Sequence, residues 1–383
     1  MVGSFYGRVM AKNNKIIDLF SGCGGFSLGA HQAGFDVSLA IDVDPILSSS
    51  FPLNFPGVPL RNWNLVDAEP SDLERAAGGR PAGIIGGPPC QAFSEIGRRN
   101  RADERRDLIG HFFRLVKALQ PSFFVMENVR GLGFPGNREV LDDAIDLVAD
   151  RYVVLGPVMI DAAEFGAPTR RKRLFVVGID PSERDVPHLT DLEAAKTSPL
   201  TVGDAIHDIV TAKSVGSDPE GWDWWQYDGR RRLSAYAEVA RAAPPAGLGA
   251  GAVEGRFSGH TKTRHTEAVT RRFSSVQMGE QDRVGKHHRL HWNSQAPTLR
   301  AGTGSDRGSY QSVRPIHPTE DRVITPREAA RLQGFPDWFT FHPTVWHSFR
   351  MIGNSVSPFV SRAVLSWIAG MQIEADWVCE AAE

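Results

Sequence analysis

A single cysteine in a proline-rich loop is the most reactive side chain that the sequence offers. Cys90 follows Gly86-Gly87-Pro88-Pro89 and a short apolar run at 82–85 that is typical of a buried β-strand. In open parallel sheets, ligands bind beyond the carboxyl ends of the strands, where this cysteine would lie. The two prolines restrict the backbone and would hold the thiol in one direction. A lone cysteine is more often a small buried apolar residue, so it is the loop context that favours a nucleophile.

An acid and two cations further along the chain are the next candidates. Glu127 follows the next predicted strand, at 122–126, and would therefore lie near Cys90. A partly buried glutamate there is a candidate acid, although it could equally cap the loop that follows. Arg171 and Arg173 lead into a later strand, and alternation along an extended segment sends both to one face. Such a pair could clamp a phosphate or a base carbonyl, whereas an ordinary basic run at this point would be a solvated edge.

A glycine-rich turn is the second candidate site. The segment Asp18–Gly25 (DLFSGCGG) follows a predicted strand and precedes a predicted helix, which brings a ligand close to backbone N–H groups at a helix N-terminus. About twenty residues later, Asp42 stands at the end of the next strand, where a carboxylate can accept hydrogen bonds from ribose hydroxyls. The pattern alone suits NAD, FAD or S-adenosylmethionine. A tight turn without a ligand is the alternative.

The elements that must position these residues alternate between β-rich runs and helical patterns over the first 180 residues. This alternation predicts an α/β fold with a doubly wound, mostly parallel, Rossmann-like sheet. The predicted strands are Lys15–Phe20, Phe35–Ile41, Ala82–Ile85, Ser122–Met126, Tyr152–Leu155 and Leu174–Ile179. The predicted helices are Phe26–Ala33 with Gly34 as its cap, Glu104–Leu119, Arg138–Asp150, a helix with Thr325 as N-cap, and the amphipathic segment Pro358–Met371.

The composition changes after Asp180, where the regular alternation ends. A Trp-rich patch at 221–227 and an Ala/Pro/Gly stretch at 240–255 precede a basic region with scattered Gly and His. We therefore predict a catalytic and cofactor-binding domain at 1–184, a smaller, irregular, β-rich domain at 185–320, and a C-terminal segment at 321–383 that returns to the first domain. The Trp patch is interpreted as core of the small domain in preference to a base-stacking platform.

The composition excludes several classes of protein. With 383 residues, 41% hydrophobic and 23% charged, the chain is typical of a soluble globular protein. It has no apolar stretch of the roughly 18 residues that a membrane span needs and no signal peptide, so we expect no membrane and a cytoplasmic location. Its three cysteines fit neither a disulfide framework nor a zinc site. The histidines between 260 and 291 lack metal-ligand spacing, so no metal is predicted.

Positive charge is concentrated in one region. The net charge is −2, yet residues 256–331 contain fourteen Lys and Arg against seven Asp and Glu. This surplus could contact a phosphate backbone, although each cation alone is more often a solvated surface charge. The candidates are Arg256, Lys262, Arg264, Arg283, Lys286, Arg289 and Arg300.

Six sequence blocks, in this order, resemble the cytosine-5 DNA methyltransferase family of bacterial or phage restriction-modification systems. They are DLFSGCGG, GGPPCQAFS, ENV with RGL, FGAPTRRKRLFVVG, TPREAARLQGFPDWF and IGNSVSP. The resemblance covers roughly residues 15–180 and 320–370, so the region between them lies outside it.

The resemblance implies a role for each catalytic candidate. Cys90 would attack carbon 6 of the target cytosine, which makes carbon 5 nucleophilic enough to take a methyl group from S-adenosylmethionine. Glu127 would bond or protonate the base at N3, while Arg173, helped by Arg171, would hold the carbonyl O2. A soft thiolate suits a poorly electrophilic ring carbon, and an acid and a cation absorb the charge that develops on the ring.

For the cofactor, the resemblance implies a cradle that joins both ends of the chain. The implied residues are Phe20, Ser21, Gly22, Cys23, Gly24, Gly25, Asp42, Asn64, Asn354, Ser355 and Val356. Two of the chain's residues depart from the family pattern: Thr169 replaces a usual glutamine, and Asn64 replaces an aspartate near the adenine. Both departures bear on binding affinity more than on the type of reaction.

The implied substrate is double-stranded DNA from which the target base is flipped into the pocket. The loop at 91–106 would close over the DNA, and the 185–320 region would be the target-recognition domain. We expect a monomer and a cognate restriction endonuclease as a genetic partner. Three alternatives stay open: methylation of transfer RNA with the same blocks, a Rossmann-type oxidoreductase, and an inactive regulatory binder.

Overall fold

A seven-stranded mixed sheet is the centre of the computed structural model, which describes residues 13–89, 107–301 and 314–371. The strands are β1 Lys15–Leu19, β2 Asp36–Ile41, β3 Leu60–Arg61, β4 Gly83–Gly86, β5 Phe123–Val129, β6 Val153–Asp161 and β7 Lys172–Ile179. Their order is β3-β2-β1-β4-β5-β7-β6, and only β7 runs antiparallel to its neighbours. The predicted doubly wound, mostly parallel sheet is therefore confirmed.

The strand order places a cleft above the middle of the sheet. From β1 the chain builds outward through β2 and β3, and then crosses to the other side of β1 to form β4. In open α/β sheets this reversal is where ligands bind, at the carboxyl ends of the strands. The turn after β1 and the loop after β4 both open into that cleft, so the two candidate sites are neighbours.

Helices cover both faces of the sheet. They are α1 Gly25–Gln32, α2 Phe51–Asn54, α3 Pro70–Ala76, α4 Asp107–Leu119, α5 Arg138–Asp146, α6 Leu189–Ala194, α7 Val202–Ile206, α8 Ala235–Arg241, α9 Glu267–Ser274, α10 Pro326–Gln333, α11 Val345–Asn354 and α12 Pro358–Ile368. One face packs on α3, α4 and α5, and the other on α1, α12 and part of the 185–320 region. Alternation along β7 shows the division, because Phe175 and Val177 belong to one cluster and Leu174 and Val176 to the other.

Several element boundaries differ from the predictions. Strand β3 was not predicted, since two residues carry no periodicity, and α5 ends at Asp146 because turns occupy the residues that follow. Strand β6 runs six residues beyond its predicted end at Leu155. The prediction that the C-terminal helix is amphipathic was wrong: every residue of α12 except Arg362 is buried, since the helix lies between α1 and the rest of the core.

The Thr325 N-cap is confirmed in detail. The Thr325 hydroxyl accepts a hydrogen bond from the Glu328 N–H at 3.2 Å, and the Glu328 carboxylate accepts one from the Thr325 N–H at 2.8 Å. This reciprocal capping box begins α10, whose residues are all buried. The start of this helix is therefore fixed by two reciprocal hydrogen bonds.

The 185–320 region contains a small antiparallel sheet and four short helices. The strands are β8 Lys213–Ser217, β9 Asp223–Gln226 and β10 Arg256–Ser258, in the order β10-β9-β8. Buried residues of this region, including Ile206, Tyr236 and Phe257, belong to the same hydrophobic cluster as α1 and α12. The domain boundaries therefore stay a prediction, because one core runs through both parts.

One partly buried hydrogen-bond network holds the small sheet together. The Asp223 carboxylate accepts hydrogen bonds from the N–H groups of Gly259 at 2.6 Å, His260 at 2.9 Å and Thr261 at 2.6 Å. It also accepts one from the Trp225 indole N–H at 2.8 Å. The indole N–H groups of Trp222 and Trp224 are likewise engaged within the protein, which supports a structural interpretation of the Trp patch.

None of the helices described is long and apolar enough to cross a membrane.

Candidate active site

The turn after β1 is held by Asp42 at the end of β2. One carboxylate oxygen of Asp42 accepts the Gly22 N–H at 2.8 Å, and the other accepts the Asp44 N–H at 2.8 Å. Burial raises the pKa of Asp42 above its usual value, while these two hydrogen bonds lower it. Asp42 thus fixes the glycine-rich turn against the strand end, and its predicted contact with a ribose stays a prediction.

Sequence reasoning missed Asp18 as a site residue. It lies in β1, directly below the turn, and its carboxylate accepts a hydrogen bond from the Ser27 hydroxyl at 2.6 Å. Its second oxygen is buried and has no hydrogen-bond partner among the described residues. Burial raises the pKa of Asp18 to about 7, the Ser27 bond lowers it and the Asp42 charge raises it. An acidic residue inside the apolar run KIIDLF was the signal that could have identified it.

The C-terminal segment closes the same turn. A Cβ atom on Gly25 would collide with the Ser355 hydroxyl, so only glycine permits this approach. The Cys23 thiol donates a weak hydrogen bond to the Met351 carbonyl at 3.7 Å, and burial raises its pKa to about 12. The Cys23 side chain is therefore a buried, unreactive thiol, while its backbone belongs to the Ser21–Gly25 turn. The predicted meeting of Ser21–Gly25 with Asn354–Val356 is present in the fold.

The other predicted cofactor residues lie at the rim. Phe20 follows β1 with a φ of 61° and packs beside the cluster on the α4 face. Asn64 lies after β3 and is exposed; its side-chain oxygen accepts the Val66 N–H at 3.1 Å, and its amide donates to Asp67 at 3.1 Å. The amide oxygen keeps a second lone pair, so the predicted contact with an adenine remains open to it.

An ion pair between buried Glu127 and half-buried Arg173 lies beside the strand end that leads to Cys90. The Arg173 Nε is 2.9 Å from the Glu127 carboxylate, and the other Glu127 oxygen lies 3.3 Å from the position that a Cβ on Gly87 would take. The Asn128 amide donates to the Pro88 carbonyl at 3.2 Å and ties the two loops together. Cys90 itself and the predicted closing loop at 91–106 lie outside the described residues.

The environment of Glu127 favours its neutral form. Burial raises the pKa of this carboxyl above its usual value, and the charges of Arg173 and Arg171 lower it only in part. A carboxylic acid whose pKa is raised holds its proton at higher pH than a free glutamate does, and it can donate that proton to a ring nitrogen. The site thus combines an acid, a cation and the strand end that precedes a cysteine.

Arg171 has a different set of partners from the predicted one. Its Nη1 donates to the carbonyls of Leu299 at 3.3 Å and Gly353 at 3.0 Å, and its Nη2 donates to the Ser355 carbonyl at 3.0 Å. These bonds join the start of β7 to the segment Asn354–Val356, which closes the cofactor turn. Contact with a base carbonyl stays a prediction for Arg171, and the geometry supports a positioning role.

Thr169 occupies the position where the family usually has glutamine. It is fully buried, and its hydroxyl lies 3.3 Å from the Ala296 carbonyl and 3.2 Å from the Pro297 carbonyl. Through these and neighbouring contacts, residues 296–299 run alongside residues 168–171, which lead into β7. The departure from the family pattern therefore has a structural use, namely to attach the end of the 185–320 region.

The structure divides the seven candidate DNA-contacting cations. Lys262 pairs with Glu320 at 2.9 Å, and Arg289 is buried against backbone carbonyls and Asp321. The other five are exposed: Arg256, Arg264, Arg283, Lys286 and Arg300. Within the described ranges, no group of three or more His, Cys, Asp or Glu side chains could hold a metal ion.

The sequence profile of the C-5 cytosine-specific DNA methylase family matches residues 14–369. The chain belongs to this family. It is 42% identical to the type II methyltransferase M.XorII of Xanthomonas oryzae pv. oryzae, over 91% of this chain and 82% of that protein. It is 30% identical to the type II methyltransferase M.DdeI of Desulfomicrobium norvegicum, over 92% of this chain and 88% of that protein. The predicted enzyme class, a DNA (cytosine-5-)-methyltransferase, is confirmed.

Solved structures agree with this family. A prophage-encoded E. coli protein described as a DNA modification methyltransferase superposes with a TM-score of 0.79 at 37% identity, covering 94% of this chain and 99% of its own. The S. pombe Dnmt2 methyltransferase has a TM-score of 0.59 at 15% identity, covering 94% and 98%. The second likeness shows only the shared fold.

Proposed function

We propose that this cytosine-5 methyltransferase acts on a cytosine flipped out of duplex DNA, through a covalent bond between the Cys90 sulfur and carbon 6. The observation that carries the proposal is the pair of buried Glu127 and half-buried Arg173 beside the strand end that leads to Cys90. Ring addition needs an acid and a cation at that place, and the chain supplies both. A base in a duplex is stacked on both faces, so the thiol can reach carbon 6 only after the base has been extruded.

The chain's own residues divide the work as follows. The Cys90 thiolate forms the bond to carbon 6, and the ring electrons move toward carbon 5 as Glu127 gives its proton to N3. Arg173 stabilises the charge on the ring at O2, close to the carboxyl that it already pairs with. After methyl transfer, carbon 5 loses its proton to a base, the sulfur–carbon bond breaks, and the N3 proton returns to Glu127.

S-adenosylmethionine, the methyl donor that the family uses, supplies an activated methyl group when bound. The residues around the β1 turn fit such a molecule, because Asp18 and Ser21 each present a buried side-chain oxygen without a partner among the described residues. Asp42 and Asn64 would contact the ribose and the adenine. Ser21–Gly25 would form the floor and Asn354–Val356 the opposite wall.

The relatives M.XorII and M.DdeI are type II methyltransferases, which supports a role in a restriction-modification system. In that role the product protects a defined DNA sequence from an endonuclease that reads the same sequence. The two enzymes would belong to one genetic system, and they need not bind each other. We further propose that one chain is sufficient for activity, since one flipped base occupies one site.

The test uses purified protein, S-adenosylmethionine with a tritiated methyl group, and either mixed duplex DNA or total transfer RNA. We expect label at cytosine carbon 5 of the DNA, no label with Cys90→Ser, and full label with the control Cys379→Ser. Label in RNA alone would contradict the substrate, and an active Cys90→Ser would contradict the nucleophile.

A further inference from the structure

We propose that the turn from Asp282 to His287 sets part of the sequence preference of methylation. Arg283 and Val284 would contact base edges, and Lys286 a phosphate. This inference rests on the proposed action on duplex DNA and identifies where the duplex is read. We call the segment Asp282–His287 the reading turn.

The reading turn presents an unusual combination of side chains to solvent. Val284 is 71% exposed, the largest exposed fraction of any large hydrophobic residue in the described ranges. Arg283 and Lys286 are exposed on either side of it, and neither pairs with a carboxylate in the part of the chain that the structure describes. Two exposed cations without a carboxylate partner among the described residues favour an external polyanion, and the apolar side chain between them could pack on a base.

The turn is rigid although its side chains are exposed. The buried Asp282 carboxylate accepts the Gly285 N–H at 2.6 Å and the Val284 N–H at 3.4 Å, and it pairs with the Arg272 Nε at 3.2 Å. A Cβ on Gly285 would lie 2.5 Å from the His287 ring, so glycine is needed there. Because the one carboxylate points inward, the outward surface carries only positive charge. Preorganised contacts of this kind lose little entropy on binding.

A small hydrophobic cluster supports the turn from below. It consists of Phe273, Val276, Ile316 and Val323, with α9 on one side. The His287 ring packs on Phe273 with centroids 5.4 Å apart, and its Nδ1 lies 2.7 Å from the Arg314 carbonyl. The turn is therefore attached to a packed base and is not a free loop.

Residues 288–296 connect the reading turn to the residues that precede β7. Beyond the turn, Arg289 forms a bridge with Ile316, and the chain then reaches Ala296, which forms a parallel bridge with Thr169. Thr169 is two residues before Arg171. A base held by the reading turn would thus be fixed relative to the site that receives the flipped cytosine.

The chemistry of the three side chains fits duplex DNA. Arginine donates two hydrogen bonds to guanine O6 and N7 in the major groove, and an aliphatic side chain packs on the thymine methyl group. A lysine at the edge contributes a phosphate contact without sequence information. Arg283 and Val284 should therefore affect which sites are methylated, and Lys286 how tightly any DNA is bound.

The experiment compares the parent with Arg283→Ala, Val284→Ala and Lys286→Gln on a random-sequence duplex library, with methylated cytosines read by sequencing. We expect Arg283→Ala and Val284→Ala to lower methylation at the parent's preferred sites by roughly tenfold relative to other sites. Lys286→Gln should weaken binding at all sites and reduce the salt slope by about one. Val153→Ala and Lys117→Gln, which alter exposed residues of the catalytic half, are the matched controls.

Thermal melting of each variant checks the fold, and Arg283→Lys is a second variant that keeps the charge but loses the paired hydrogen bonds. Unchanged site preference and salt slope in all three variants, with an active parent, would overturn the reading turn alone. Equal losses in the controls would overturn it too. A parent that methylates no DNA would instead overturn the proposed function, on which the inference rests.

Discussion

The strand-end site and the reading turn treat charge in opposite ways. At the site, Glu127, Arg171 and Arg173 are paired with one another or with backbone carbonyls and largely removed from solvent. At the turn, Arg283 and Lys286 are exposed and unpaired within the described ranges. Buried pairs fix the geometry that a chemical step requires, while exposed cations on a rigid loop can change without disturbing the fold. If the reading turn acts as proposed, the residues for the chemical step and those for site preference lie in separate parts of the molecule.

The largest effect is expected at the buried acid. Glu127→Gln keeps the shape and a hydrogen bond to N3 but cannot supply a proton, so the rate of methylation should fall about 10²- to 10⁴-fold. Because burial raises the Glu127 pKa, the parent should lose activity as the pH rises through that pKa, and the variant should lack this decline. Single-turnover rates from pH 5 to 9 measure both. Glu139→Gln, on the exposed side of α5, should behave as the parent.

The next largest effect is expected at Arg171, which links the residues before β7 to the segment Asn354–Val356. Arg171→Met removes the donors that serve the carbonyls of Leu299, Gly353 and Ser355, which should cost about 3 kcal/mol of stability. The affinity for S-adenosylmethionine should fall as well, because the segment Asn354–Val356 is no longer held in place. Calorimetric melting and equilibrium dialysis measure the two effects. The neighbouring exposed Arg170→Met should change neither, and a normal melting temperature in Arg171→Met would contradict the positioning role.

A smaller effect is expected in the 185–320 region. Asp223→Asn places an amide among donors from Gly259, His260 and Thr261, and should cost about 2 kcal/mol. DNA binding should weaken while S-adenosylmethionine binding stays normal, since the hydrogen-bond partners of Asp223 all lie in the 185–320 region. Anisotropy with labelled duplex and calorimetry with the cofactor compare the two. Glu220→Gln is the exposed control, and equal loss of both affinities would argue for a single cooperative unit.

The smallest effect is expected at Asp18. The pKa of Asp18 is raised to about 7, so its carboxyl group is ionised above that pH. A ligand that carries a positive charge binds more tightly to this ionised form. Cofactor affinity should therefore rise about tenfold between pH 6 and pH 8 and then level off. Asp18→Asn should remove this rise, whereas Asp36→Asn on the exposed start of β2 should keep it. A flat profile in the parent would show that Asp18 does not contact the cofactor.

Much of the catalytic half could be predicted because its signals are local. Continuous apolar runs predicted six strands, and a parallel sheet brings their carboxyl ends together whatever the details of packing. That reasoning was sufficient to place Glu127 near the loop that leads to Cys90. It did not place Arg173, which reaches the same edge because β7 runs antiparallel to β5. It failed for β3, which is too short to show a pattern, and for Asp18, whose unpartnered oxygen is visible only in the fold.

The remaining features depend on contacts between distant parts of the chain. The partners of Arg171 lie more than a hundred residues away, so its positioning role could not be read from a basic run. The reading turn is similar: Arg283 and Lys286 looked no different in sequence from Lys262 or Arg289, which proved to be engaged. Ion pairs and burial distinguish these two groups of cations, and neither property can be read from the sequence alone.

The covalent bond between Cys90 and the target base is the central claim, and it can be trapped directly. Duplex DNA with 5-fluorocytosine at the methylated position blocks the final proton loss, so the adduct should accumulate when S-adenosylmethionine is present. The account predicts a protein–DNA species that resists denaturation and maps by mass spectrometry to the peptide with Cys90. No adduct from an otherwise active enzyme, or an adduct at Cys23 or Cys379, would contradict it.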